Sequence, residues 1–91
     1  MINKIKLEDR IEYRNEDGFL HREDGPAVEY LNGDKSWWVN GKRHREDGPA
    51  TQWSIGFDVW YLSDACFLTK EEFEHELVKL KLERLKRLNN G

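Results

Sequence analysis

The sequence predicts an α+β fold: an antiparallel β-meander of hairpin repeats followed by one C-terminal α-helix. Three observations carry this prediction. The heptapeptide His21-Arg22-Glu23-Asp24-Gly25-Pro26-Ala27 returns letter for letter as His44-Arg45-Glu46-Asp47-Gly48-Pro49-Ala50. Asn32-Gly33 and Asn40-Gly41 stand between short strand-like segments, and Asn-Gly is the strongest local hairpin signal because primed turns need positive φ. From Thr69 onward the pattern becomes that of a capped, amphipathic helix.

The two heptapeptides lie 23 residues apart, and the same offset aligns Tyr30 with Trp53, Gly33 with Gly56, Trp37 with Trp60, Trp38 with Tyr61 and Val39 with Leu62. Each unit therefore reads as a corner, a short strand, a Gly turn and an aromatic strand. After Leu62 the pattern decays, with Ser63-Asp64-Ala65-Cys66 where the first unit has Asn40-Gly41-Lys42-Arg43. Upstream, Ile11-Glu12-Tyr13 and Phe19-Leu20 flank Asn15-Glu16-Asp17-Gly18 as a degenerate first hairpin. Strands are expected near 10–14, 19–22, 27–31, 35–39, 42–45, 50–54 and 57–62, within one domain spanning residues 1–91.

Two-residue turns fix register. If both Asn-Gly pairs are such turns, Val28 opposes Trp37, Trp37 opposes His44 and Val39 opposes Lys42. One face then carries Val28, Tyr30, Trp37, Val39 and His44, continued by Trp53, Trp60 and Leu62, and is expected to be the core. The other carries Glu29, Leu31, Asp34, Ser36, Trp38, Arg43 and Arg45, with Trp38 and Leu31, and further along Phe57, Val59 and Tyr61, as apolar exceptions on a solvated face.

The helix is expected over about 70–88. Thr69 with Glu72 forms a capping box, acids fill the first turns, and Lys81, Arg84, Lys86 and Arg87 load the last, matching the helix dipole. Phe73, Leu77, Leu80 and Leu88 run down one side, widened by Val78, Leu82 and Leu85. Five turns exceed what a small sheet covers, so the end should protrude, and a homodimer through Leu77, Leu80, Leu85 and Leu88 is expected.

Composition narrows the function classes. With 37% hydrophobic residues and a mean hydropathy of -0.92, the 91-residue chain has little apolar mass, and its four Trp, three Tyr and four Phe must supply most of the burial. Cys66 is the one cysteine, which excludes an internal disulfide and any two-thiol metal or redox motif, and a reducing cytoplasm is the expected setting. No segment has the length and apolarity of a membrane span. A net charge of -3 counts against a protein that holds duplex nucleic acid by neutralising phosphates.

A string holding His, Arg and two acids could bind a metal or shuttle protons, but a zinc site needs about four ligands converging on one point. Repetition favours a scaffold corner, which is needed at every reversal, over an active site, which is needed once. In that reading His21 and His44 are half-buried hydrogen-bonding rings, and Arg22 and Arg45 reach back to carboxylates or carbonyls. Asp24 and Asp47 accept turn N–H bonds, Gly25 and Gly48 supply unusual φ, and Pro26 and Pro49 mark strand entry. No catalytic residue, metal or cofactor is expected.

The unit HREDGPA, a strand, NG, then a WW or WY strand with NGK resembles a MORN-like repeat of small proteins from tailed bacteriophages and large viruses. Leu68-Thr69-Lys70-Glu71-Glu72-Phe73 resembles the helix start with which such chains often close. The resemblance covers roughly residues 13–75. It implies a repeat scaffold and a non-enzymatic, antitoxin-like or inhibitory role toward a host protein, in the host cytoplasm. The expected partner-binding residues are Trp38, Tyr61 and Leu31, flanked by Arg43 and Arg45, since aromatic and Arg clusters anchor interfaces. The alternative is single-stranded nucleic acid, stacked on Trp38 and Tyr61 and gripped by Arg22, Arg43 and Arg45.

Overall fold

A computed structural model describes residues 2–90, with the Asn89 and Asn90 side chains left aside. Among the described residues nine strands precede the helix: β1 Asn3–Lys6, β2 Arg10–Arg14, β3 Val28–Tyr30, β4 Lys35–Ser36, β5 Trp38–Val39, β6 Lys42–Arg43, β7 Thr51–Trp53, β8 Phe57–Leu62 and β9 Ala65–Phe67, then α1 Lys70–Asn90. Seven strands form one antiparallel meander in the order β1-β2-β3-β4-β7-β8-β9, and β5-β6 is a separate hairpin. The α+β fold with a C-terminal helix is as the sequence predicts. No described helix is long and apolar enough to cross a membrane.

The meander has two unlike ends. At one end the β1–β2, β3–β4 and β7–β8 connections are short loops set side by side: Leu31 N–H donates to Asp9 O at 3.0 Å, and Ser54 N–H to Asp34 Oδ1 at 2.7 Å. At the other end, residues 15–27 and 37–50 leave the sheet as excursions, each carrying one heptapeptide.

Turn length corrects the expected register. The loop closed by Asn32-Gly33 has three residues, Leu31-Asn32-Gly33, because Tyr30 N–H bonds Asp34 O and Gly33 takes φ +98°. Ser54-Ile55-Gly56 and Glu16-Asp17-Gly18 close in the same way, with Gly56 and Gly18 also at positive φ. This is the three-residue hairpin loop that ends in a left-handed Gly. Val28 therefore pairs with Ser36, not Trp37, and one residue of slip exchanges the faces. Val28, Tyr30 and Trp53 share a concave face with Trp38 and Arg43, while Trp37, Val39 and His44 line the opposite side. The expected single core face is thus two.

Asn40-Gly41, by contrast, is a two-residue turn with φ 50° and 79°, and Val39 opposes Lys42. Ser63-Asp64 takes the same shape, with φ 48° and 71° and no glycine. Asp64 explains how: its carboxylate accepts the Arg43 N–H at 2.8 Å, so the side chain that bears the backbone strain also ties the turn to the hairpin beside it.

Other elements differ at their edges. The expected strand 19–22 is a single bridge, Arg14 to Leu20, because the chain turns there and Arg22 N–H transfers to Trp38 O. The expected strand 35–39 breaks at Trp37, whose N–H goes to Ala50 O while the chain departs into β5, and 42–45 shortens to β6 as His44 enters the second corner. β1 and β9 were not expected from their short, polar or mixed sequences. Among the described residues the buried apolar ones are few: Ala27, Val28, Ala50, Phe73 and Leu77. Of the aromatics expected to supply the core, Phe73 is buried, Tyr13, Trp37, Trp38, Trp60, Tyr61 and Phe67 are half-buried, and Phe19, Tyr30, Trp53 and Phe57 are exposed.

Candidate functional site

Both heptapeptides build the same corner. Arg22 Nε donates to Asp24 Oδ1 (3.0 Å) and Nη1 to Pro26 O (3.1 Å), and Arg45 repeats these bonds with Asp47 (2.8 Å) and Pro49 O (3.0 Å). Each guanidinium carbon lies over an aromatic ring, that of Arg22 4.0 Å from the Tyr13 centroid and that of Arg45 3.9 Å from that of Trp37. The glycines are needed for space and not for φ, which is not positive at either. A Cβ on Gly25 or Gly48 would come within 3.0 or 2.9 Å of the guanidinium carbon of Arg22 or Arg45. Arg45 also holds the Asp47 carboxyl below its ordinary range.

Each histidine ties its corner to the following turn. Asn40 N–H donates to His21 Nδ1 at 2.9 Å, and Ser63 N–H to His44 Nδ1 at 3.0 Å. With Nδ1 accepting, the ring proton of the neutral tautomer sits on Nε2, which faces Glu23 in the first corner and Glu46 in the second. Glu46 is in turn gripped by Arg84 of α1, at 2.7 and 2.5 Å. Arg84 holds the Glu46 carboxyl down to about 2, helped by His44 and opposed by partial burial. The first corner has no such tie to the helix, and this long-range pair has no signature in the repeat pattern. A positive residue in the last turns of a helix reads as a dipole partner.

The aspartates of the heptapeptides pair with arginines and the glutamates face the imidazoles, and among the described residues no group of three or more His, Cys, Asp or Glu converges on a metal-sized point. The surfaces left for recognition lie elsewhere. On the concave face, Arg43 stacks against both Trp38 (4.8 Å) and Tyr61 (5.2 Å), and Trp38 Nε1 donates to Ser36 Oγ at 2.8 Å. Three of the residues expected to bind a partner are therefore together, but they are packed against each other. Burial pushes the Tyr61 phenol up, with neighbouring Cys66 adding to it. The floor of this groove holds Val28, Ser36 and Thr51, with Glu12 between Arg10 and Arg14. Arg10 holds the Glu12 carboxyl below its ordinary range, against the cost of burial and with help from Arg14.

Arg45 belongs to the opposite side, committed to Trp37 and the corner. Leu31, the remaining expected contact, is at the loop end of the sheet. It is 79% exposed and neighbours the loop of Ile55, which is 88% exposed. Tyr30, Trp53 and Phe57, which flank the same two loops, are exposed as well. Ile55 carried a sequence signal that the repeat alignment obscured: it is an aliphatic residue at the turn position where the first unit has Asn32. An apolar residue there gains nothing from the turn itself.

Comparison with protein-family models, with characterised proteins and with solved structures finds no match.

Two outcomes test this geometry. Gly48→Ala should destabilise the fold by about 1–3 kcal/mol, as overpacking does. In an Arg45→Ala background the same change should cost much less, because the atom it strikes is gone, and chemical denaturation of the four proteins reads this coupling directly. Glu46→Gln should cost about 0.5–1 kcal/mol near neutral pH, a surface-pair magnitude since Arg84 is largely solvated. A carboxyl depressed on folding adds stability above its unfolded value and loses it as pH falls through the folded one. The gap between wild type and variant should therefore close as pH is lowered from about 4.5 to about 2.

Proposed function

We propose that this chain is a non-enzymatic protein-binding module whose contact surface is the loop end of the sheet. The observation that carries this reading is the gathering of Tyr30, Leu31, Trp53, Ile55 and Phe57, all exposed, around two adjacent hairpin loops. Isolated surface aliphatics are ordinary, whereas a contiguous aromatic and aliphatic group at one end of a small, highly charged protein is typical of an interaction surface. Rigid hairpins set in register by their neighbours present these side chains at little entropic cost, which favours binding. The corner residues stabilise the scaffold that holds the loops. A host protein, the partner class implied by the resemblance to viral repeat proteins, fits such a surface.

This proposal relocates the contact from Trp38, Tyr61 and Arg43 to the neighbouring loop end, with Leu31 retained. It also weighs against single-stranded nucleic acid, because the two expected stacking platforms are already occupied by the Arg43 guanidinium.

Affinity capture from lysate of the native cell, after nuclease treatment, should retain one dominant protein with the wild type and with a Lys6→Ala control. Trp53→Ala and Ile55→Asp should each reduce its recovery tenfold or more while leaving the circular dichroism spectrum unchanged. Equal recovery by all four proteins would contradict the proposed surface. Capture that disappears on nuclease treatment would favour nucleic acid.

A further inference from the structure

The helix divides its apolar residues between two sides. Phe73 and Leu77 are buried, with Phe73 edge-on to Phe67 of β9 at 6.4 Å, and Leu80 joins Leu62, Ala65 and Phe67 along the seam between helix and sheet. Leu77 and Leu80, two of the four residues expected to form a dimer seam, are therefore used within the chain. Val78, Leu82, Leu85 and Leu88 are each more than half exposed. The first three follow i, i+4, i+7 spacing, which places them on one stripe, and Leu88 extends it at i+10. A helix of 21 residues is about 32 Å long, and this stripe occupies its distal half.

Charge is arranged in blocks along the same helix. Its first two turns carry Glu71, Glu72, Glu74 and Glu76 against Lys70, whereas residues 79–87 carry Lys79, Lys81, Arg84, Lys86 and Arg87 against Glu83. Two such helices side by side in parallel would set like charges together. Reversed, each acidic half would lie along a basic half, and the surface becomes complementary to itself, as a two-fold interface requires.

We propose that a second copy of this chain docks antiparallel along the stripe Val78, Leu82 and Leu85. Placing Val78 level with Leu82 of the second copy sets Glu74 of each chain level with Lys86 of the other, so that the acidic turns of one helix run beside the basic turns of its partner. Arg84 stays with Glu46, which fixes the rotation of the distal helix and keeps the stripe turned away from the sheet. A seam of about three turns is smaller than a standard interface of ~1,600 Å². The dimer should accordingly be reversible and concentration-dependent.

Sedimentation equilibrium on the full chain should show the mass rising from one chain to two with concentration. Leu82→Lys should remain a monomer throughout with unchanged helicity, and Leu85→Lys should behave likewise. Orientation is read with a short bismaleimide cross-linker in a Cys66→Ser background: a mixture of Glu74→Cys and Lys86→Cys proteins should form the mixed cross-linked dimer, while Glu74→Cys alone should not. A wild-type mass of one chain at every soluble concentration would overturn the proposal. So would a dimer untouched by Leu82→Lys and Leu85→Lys, which would place association elsewhere, or efficient self-cross-linking of Glu74→Cys, which would make the pairing parallel.

Discussion

The guanidinium stacked between an aromatic ring and a glycine is the contact on which the fold depends. In one place it covers an aromatic face, satisfies the Pro carbonyl that ends the turn, and pairs with the Asp that opens it. A cation over a ring contributes about 0.5–2 kcal/mol depending on desolvation, and a hydrogen bond from a charged donor about 1.5–3 kcal/mol. The fully buried apolar residues at these corners are alanines, so aliphatic burial alone offers little there. Arginine, with its long stem and planar head, serves both as core filler and as hydrogen-bond donor, a combination lysine cannot reproduce.

The corner explains why the heptapeptide is repeated letter for letter while the rest of the unit drifts. A bare Gly leaves the guanidinium room, since a Cβ there would push against it, and Asp and Pro stand at fixed offsets from Arg. His must reach the amide of the turn 19 residues on. Outside the corner the demands are looser. Tyr13 and Trp37 both accept the arginine, and Asn40-Gly41 and Ser63-Asp64 both make the turn. After Leu62 no further heptapeptide follows. In its place Phe67 and Phe73 pack at the start of α1, and Arg84 returns to the second corner, so the helix closes the stack as a terminal cap does in repeat proteins.

The repeat, the meander and the helix were legible because each rests on strong local chemistry: identical corners, Gly turns and a capping residue. The faces were not. Asn32-Gly33 reads as a two-residue turn by composition, and the extra residue that makes it three is Leu31, whose amide is held by Asp9 of the adjacent β1–β2 loop. Register there is a tertiary property, and its one-residue error moved Trp38 across the sheet. Exposure was no more legible than register: Trp38, Tyr61 and Arg43 read as free aromatic and cationic groups in sequence, whereas in space they pack against each other, and Trp53, Ile55 and Phe57 are the more exposed. Separating Leu77 and Leu80 from Val78, Leu82 and Leu85 likewise needed the sheet to be in place.

Native-state hydrogen exchange resolved by residue tests the central claim most directly. The amides of Tyr13, Ala27, Trp37 and Ala50 cross the two corners to carbonyls of neighbouring segments. If the corners hold the fold, these four should be the slowest in the sheet and should exchange together, at the free energy of global unfolding. Exchange at these positions as fast as at Gly33 and Gly56, with protection concentrated instead in α1, would show that the helix stabilises the molecule and that the heptapeptide corners are incidental to it.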